Sequence, residues 1–360
     1  MDRPPIAGPT GSARIAIAGG GVIGLACAFE LSRRGHQVTV YDPSPPERST
    51  SWAAAGMIAP AYEVMIHGGD GNSALARLCF ESASAWQGFA LAIQRSSGLP
   101  VGYSSAPTLA LARTDDEHER LLRLSKTLQA MSQPHAWRNI AETRERLGLS
   151  GVIKAALALP ADHQVDTRRL LKALRLNRGE GAFRLVRRAV YSRRDMDGDV
   201  DAVIWARGAR EAGVETLVKG QALALQPVTG LPSQVIRFGS GYVVPKADRI
   251  VIGASSEEGF SHQGVEPRTM QALRAAAIAV LPRLADADLI ETWAGLRPKR
   301  AGDLPTIGMI APGEFIATAH YRNGILLAPA TALRIADMIE GRAPAVDAAA
   351  FTPGAIAASA

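Results

Sequence analysis

An α/β fold with a parallel sheet, joined to a second antiparallel-sheet α+β domain, is what this sequence predicts, on three observations. From Arg14 to Asp42 the residues RIAIAGGGVIGLACAFELSRRGHQVTVYD read as buried strand, glycine turn, helix and second strand. The chain has 360 residues, 47% of them hydrophobic, which suits about two domains with sizeable cores. Further on, Gly241 to Pro245 and Asp248 to Ala254 alternate in the manner of a β-hairpin.

The first stretch carries the chemistry. Arg14 to Ala18 suits a buried parallel strand, and Gly19-Gly20-Gly21-Val22-Ile23-Gly24 places G-x-G-x-x-G spacing directly after it. Gly19 permits the tight turn, Gly21 lets the backbone approach a pyrophosphate, and Gly24 lets the helix pack on the strand. The helix runs to about Arg34 and stops at Gly35; the strand from His36 ends in Asp42, where a ribose hydroxyl needs an acceptor. A Rossmann-like dinucleotide site follows, whose helix N-terminus faces the phosphates. The motif does not distinguish FAD from NAD.

Composition narrows the setting. The opening MDRPPIAGPTGSA has no apolar h-region and the next apolar stretch is broken by three glycines, so neither a signal peptide nor a membrane span is indicated, and the expected location is cytoplasmic. Cys27 and Cys79 fit no zinc or disulfide spacing and read as core thiols; no metal is expected. The 40 Lys+Arg against 34 Asp+Glu give +6, densest from Arg184 to Arg194. That run lacks aromatic interleaving beyond Tyr191 and reads as a solvated face in preference to a nucleic-acid site.

In chain order, PSPPERST after Asp42 is a loop, followed by the small-residue run Ser51-Trp52-Ala53-Ala54-Ala55-Gly56-Met57-Ile58. Alone, that run reads as a helix start. Ala61 to Ser73 reads as a loop and candidate lid, with His67 more readily solvated than a base, and helices are expected over Ala74 to Ser96, Asp115 to Met131 and around Glu142. Pro100 to Arg113 reads as strand. Asp166 is an N-cap candidate for a helix from Arg168, and Ala202 to Gly208 is a buried strand. A helix from Pro267 to Leu281 precedes Trp293-Ala294-Gly295-Leu296-Arg297-Pro298. Ala319-His320-Tyr321-Arg322-Asn323-Gly324-Ile325-Leu326 then leads into a helix ending near Gly341.

The order of the glycine fingerprint, T-S-W-A-A-A-G-M and H-Y-R-N-G-I-L-L resembles the D-amino acid oxidase family of flavoproteins, and within it the glycine oxidases of thiamine biosynthesis, from about Arg14 to Gly341. The resemblance implies FAD. It carries Val22, Ile23, Asp42, Ser51, Trp52, Gly56, Met57, Ile58, Val190, His320, Arg322, Asn323, Gly324, Ile325 and Leu326 into FAD contacts beside Gly19, Gly21 and Gly24, with Gly181 to Val190 as the adenine-side strand. Tyr242, Arg297 and Arg322 become the substrate site, two guanidinium forks on one carboxylate, and Ser255-Ser256 face the substrate's side chain. The sequence departs from the family at Arg210, at Ala319 where relatives carry glycine, and in a shortened meander after Val190.

The implied reaction is flavin-dependent oxidative deamination of glycine, small amines and D-amino acids to an oxoacid (glyoxylate from glycine), ammonia and hydrogen peroxide, with orientation in place of a side-chain base. It would supply iminoglycine for the thiazole of thiamine. Expected partners are a small amino acid, molecular oxygen, a thiazole-synthesis partner and further copies of the chain in a homo-oligomer, with neither nucleic acid nor membrane. A D-amino acid or sarcosine-type oxidase or dehydrogenase and, from a different class, an RNA-interacting flavoprotein module stay open. The FAD-binding domain is expected over 12–80, 157–216 and 296–345, the substrate domain over 81–156 and 217–295, and disordered tails at 1–11 and 346–360.

Overall fold

A computed structural model describes residues 11–67, 71, 73–211, 214–259, 262–342 and 347–353. Two sheets organise the chain. The six-stranded one runs in the order Thr306–Ala311, Glu314–Thr318, Ala202–Trp205, Arg14–Ala18, Gln37–Tyr41, Arg184–Val186, all neighbours parallel except the first two. Alternation in Arg14–Ala18 splits its side chains between two cores. Ile15 and Ile17 join the helices Val22–Arg33, Ala74–Ser97, Thr167–Leu176 and Gly324–Ile339, while Ala16 and Ala18 join Tyr41, Val203 and Trp205 on the opposite face. Burial on both faces goes with the apolar run Ile15 to Ala18 and with Ala202–Trp205.

The nine-stranded sheet is mixed and mostly antiparallel, its strands including Thr108–Ala112, Thr216–Leu225, Ile236–Phe238, Gly241–Pro245, Ile250–Gly253 and Leu289–Lys299. Period-2 alternation again separates two faces. Leu223, Phe238, Val243 and Ile252 pack with Met270, Ala277 and Val280 of the Pro267–Val280 helix. Tyr242, Val244, Val251 and Trp293 look the other way, toward Ala55 and Met57. Paired residues draw one row across that face, Trp293, Ala222, Gly253, Tyr242, Arg237 and Ala110. Met57–Ile58 pairs with His163–Gln164 where the two sheets meet.

Some expectations are corrected. Residues 61–67, expected as loop, lie in the helix Pro60–His67, because Ala61 and Val64 bury against Leu121, Leu124 and Leu157; the rest of that segment lies largely outside the described residues. The strand expected over Gly181 to Val190 is only Arg184–Val186, since its partner strand ends at Tyr41. Strand in the Pro100 to Arg113 stretch is confined to Thr108–Ala112. Most of the expected tails, 1–10, 346 and 354–360, lie outside the described residues. Phe351, however, is buried in the first core with Arg334 5.4 Å above its ring, so 347–353 docks. The expected boundary at 80/81 falls inside Ala74–Ser97, whose Leu78, Trp86 and Ile93 share the core of the first helix. No helix among the described residues is long and apolar enough to cross a membrane.

Candidate active site

A cavity of about 470 Å³ opens between the sheets. Two helix N-termini reach it, that of Val22–Arg33 through Val22 and that of Gly324–Ile339 through Gly324 and Ile325. Neither N-cap residue, Gly21 or Asn323, supplies a capping side chain and neither first turn holds an acid, so both helices turn their positive ends toward whatever fills the space.

The turn into the first helix is shaped by what its glycines allow. Gly19 has φ +115°, and a Cβ there would lie 2.2 Å from the Ala206 carbonyl oxygen; one at Gly24 would lie 1.9 Å from the Gly19 oxygen. Asp42 accepts the Gly20 N–H at 2.6 Å and the Ser44 N–H at 2.8 Å, and Ser51 Oγ accepts the Val22 N–H at 2.9 Å. Arg175 donates to the Gly20 oxygen at 3.2 Å and lends a cation that no fingerprint position announces. An uncapped helix end, a close backbone turn, an acid for a ribose and a nearby guanidinium fit a dinucleotide diphosphate.

The floor is the run Thr50 to Met57. At Gly56 (φ +84°) a Cβ would come within 1.9 Å of the Val165 oxygen, so the chain passes only as glycine. Across the cavity stands the Tyr242 row of the second sheet. Gly253, opposite Tyr242, leaves room for its ring, and Gly220 leaves room for the Arg297 guanidinium, which donates to the Ser255 oxygen at 3.3 Å. Burial raises the Tyr242 pKa, and the Arg297 and Arg237 charges oppose that rise, so both cations are close to the phenol.

Arg322 is held by an unexpected partner. Its Nε donates to Glu63 Oε1 at 2.9 Å and Oε2 at 3.1 Å, Asn323 Nδ2 donates to Oε2 at 2.9 Å, and His67 Nε2 lies 3.1 Å from Arg322 Nη2. Burial alone would raise the Glu63 carboxyl; the hydrogen bonds from His67, Arg322 and Asn323, with the Arg322 charge, outweigh it and hold the group at about 2.

Of the sequence-derived site, the structure brings Val22, Ser51, Gly56, Met57, Tyr242, Arg297, Arg322, Gly324 and Ile325 to the cavity wall, with Ser255 and Ser256 beside them. Gly19, Gly21, Gly24 and Asp42 form the adjoining turn. Other side chains turn away. Ile23 packs half-buried on the core, Trp52 stacks on Arg168 at 5.1 Å, and Ile58 and Leu326 are core residues. His320 meets Thr331 Oγ1 at 3.0 Å, its pKa driven to about 3 by burial, and Asn323 serves Glu63. Val190 lies off the strand, packed with Tyr41 and Trp205.

Glu63, Tyr62 and Arg237 were missed. Glu63 and Tyr62 hid in a segment taken for loop. Arg237 had a signal: Gly239-Ser240 is a two-residue hairpin turn, which sets Phe238 opposite Gly241 and Arg237 opposite Tyr242. Within the arginine-rich run, Arg184 and Arg188 pair with Asp197.

Comparison with known proteins agrees with this geometry. A family described as FAD dependent oxidoreductase matches residues 14–338. The chain is 31% identical to a glycine oxidase of Geobacillus kaustophilus over 94% of this chain and 96% of that protein. It is 34% identical to the bifunctional protein ThiO/ThiG of Trichormus variabilis, covering 90% of this chain and 52% of the relative. The crystal structure of the Geobacillus kaustophilus glycine oxidase superposes with a TM-score of 0.85 at 29% identity, over 95% of this chain and 98% of that one.

Proposed function

Since the chain belongs to the FAD-dependent oxidoreductase family, we propose that it oxidises glycine and other small amino acids to the corresponding imines, which hydrolyse to oxoacid and ammonia while oxygen leaves as hydrogen peroxide. The observation that carries this reading is the placing of Arg297, Arg322 and Tyr242 around one cavity on which two uncapped helix N-termini open. Bound FAD supplies the two-electron acceptor for the substrate's Cα–H.

The chain's residues bind and orient. Arg322 has its Nε occupied by Glu63 and its Nη2 beside His67, so its remaining N–H groups are left for the carboxylate together with those of Arg297. Tyr242 adds a hydroxyl donor. Among the described residues the wall carries no Asp, Glu, His or Lys side chain, so the amine enters neutral and no side chain takes its proton. The six-stranded unit is assigned to the cofactor and the nine-stranded unit to the substrate, with the helix Ala74–Ser97 belonging to the first and the strand Leu289–Lys299 to the second. A cytoplasmic setting and a thiazole-forming partner belong to the same proposal, the latter supported by the ThiO/ThiG relative.

The deciding experiment is the visible spectrum of the purified yellow protein before and after anaerobic glycine, followed by peroxide assay on admitting air. Bleaching and then stoichiometric peroxide are expected. A spectrum unmoved by glycine, sarcosine and D-alanine alike rules the reading out.

A further inference from the structure

Arg237 has no role in holding a single carboxylate, yet it is among the most enclosed cations of the cavity. It lies on the strand Ile236–Phe238 directly opposite Tyr242, so the two side chains leave the sheet on the same face. Its flanking residues Ile236 and Phe238 fill the core on the other face. The residue is only 7% exposed, and its guanidinium carbon sits 3.2 Å from the centre of the Tyr62 ring. Stacking of this kind fixes the plane and leaves the edge N–H groups for a ligand.

Those N–H groups are underused. Nη2 meets Met57 Sδ at 3.3 Å, a weak acceptor, and Nε is buried without a partner. Asp162, the acid whose field reaches Arg237, spends Oδ1 on the Ala61 N–H at 2.9 Å, and its Oδ2 is buried without a partner; burial pushes this carboxyl up to about 7, and it makes no direct ion pair with Arg237. Among the described residues no acidic side chain lines the wall, and Glu63 compensates Arg322 from behind. After Arg297 has met one substrate carboxylate, a second buried guanidinium still lacks a directly hydrogen-bonded carboxylate.

We propose that the preferred amine substrate bears a second acid group, carried on nitrogen as a carboxymethyl or on Cα as a side-chain carboxylate, and that Arg237 receives it while Arg297 and Arg322 hold the first. This rests on the amine-oxidase reading and names its substrate class. The second acid takes no part in the oxidation: the same Cα–H is lost, and the electron balance is that of the reaction above. Tyr242, between the two anion sites, sets their spacing.

The test uses the FAD-loaded enzyme and compares kcat/KM for iminodiacetate with its monoamide, and for D-aspartate with D-asparagine, in wild type, Arg237→Gln and Arg237→Lys. Wild type should favour one diacid over its matched amide by about tenfold or more, and the pair showing the preference identifies where the second acid sits. Arg237→Gln should erase that ratio and Arg237→Lys should keep part of it. Malonate should perturb the flavin spectrum at lower concentration than acetate in wild type, and this difference too should vanish in Arg237→Gln. Equal rates for acid and amide in wild type overturn the proposal, even if the variants fail to fold. So does an Arg237→Gln enzyme that loses diacid and amide in equal proportion. A flavin-loaded enzyme that oxidises no amine at all refutes the amine-oxidase reading instead, and this proposal with it.

Discussion

Glu63 and Arg322, 259 positions apart, form an ion pair in which the buried carboxylate takes the Nε of a half-buried guanidinium on both its oxygens. With the Glu63 carboxyl at about 2 in the folded chain against an ordinary 4.5, the unfolded chain takes up the proton first as pH falls. The pair's contribution is therefore whole above about pH 4.5 and drains away toward pH 2. Glu63→Gln should lower stability near neutrality by roughly 3 kcal/mol, and its deficit against wild type should shrink in acid. Urea unfolding at neutral and acid pH measures this; a deficit that stays constant with pH would remove the pair from the account.

The two substrate arginines should part company when truncated. Arg322→Ala leaves the buried Glu63 carboxylate with only Asn323 and His67, at a cost of about 2 to 3 kcal/mol. Among the described residues no carboxylate pairs with Arg297, so Arg297→Ala should leave Tm nearly unchanged while removing most kcat/KM for glycine. Equal Tm losses in both variants would contradict the asymmetry.

Gly220→Ala should act on Arg297 alone. The added Cβ would lie 2.0 Å from Arg297 Nη2, and the three nearest atoms all belong to that side chain. Displacing one charge-assisted grip by this much should lower kcat/KM for glycine about tenfold or more, with Tm little moved. Unchanged kinetics would show that the guanidinium does not need that position.

Asp42 holds the turn as well as facing the ribose position, because it accepts both the Gly20 and Ser44 N–H groups. Asp42→Ala should weaken FAD binding by about 1 to 3 kcal/mol, read as flavin lost on dialysis. Full retention of flavin would take Asp42 out of the site.

Ala319 is buried at φ +56°, a conformation in which a Cβ is strained, and Tyr321 follows at φ +49°. Ala319→Gly should raise stability by about 0.5 to 1 kcal/mol. A lower Tm would mean that packing of the methyl group outweighs the backbone strain.

What the sequence by itself determined was local. The glycine turn, Asp42, the Asp166 cap and the hairpin around Tyr242 each depend on residues a few positions apart or on one alternation, and all stand where the pattern set them. Arg297 and Arg322 both line the cavity. Only the tertiary structure decided which groups complete them. Glu63 reaches Arg322 because the Pro60–His67 helix passes beside the Tyr321–Asn323 turn that precedes the last helix, and Arg237 reaches Met57 and Tyr62 because the second sheet faces the cofactor segment across 180 positions of chain. An ion pair or a stacked guanidinium leaves no periodic mark on either partner. The same is true of Trp52, Ile58 and His320, whose side chains turn inward because the neighbouring Arg168, the core and Thr331 take them up. Burial and pairing of charges are properties of the folded surface as a whole, and they appear only when distant segments are brought together.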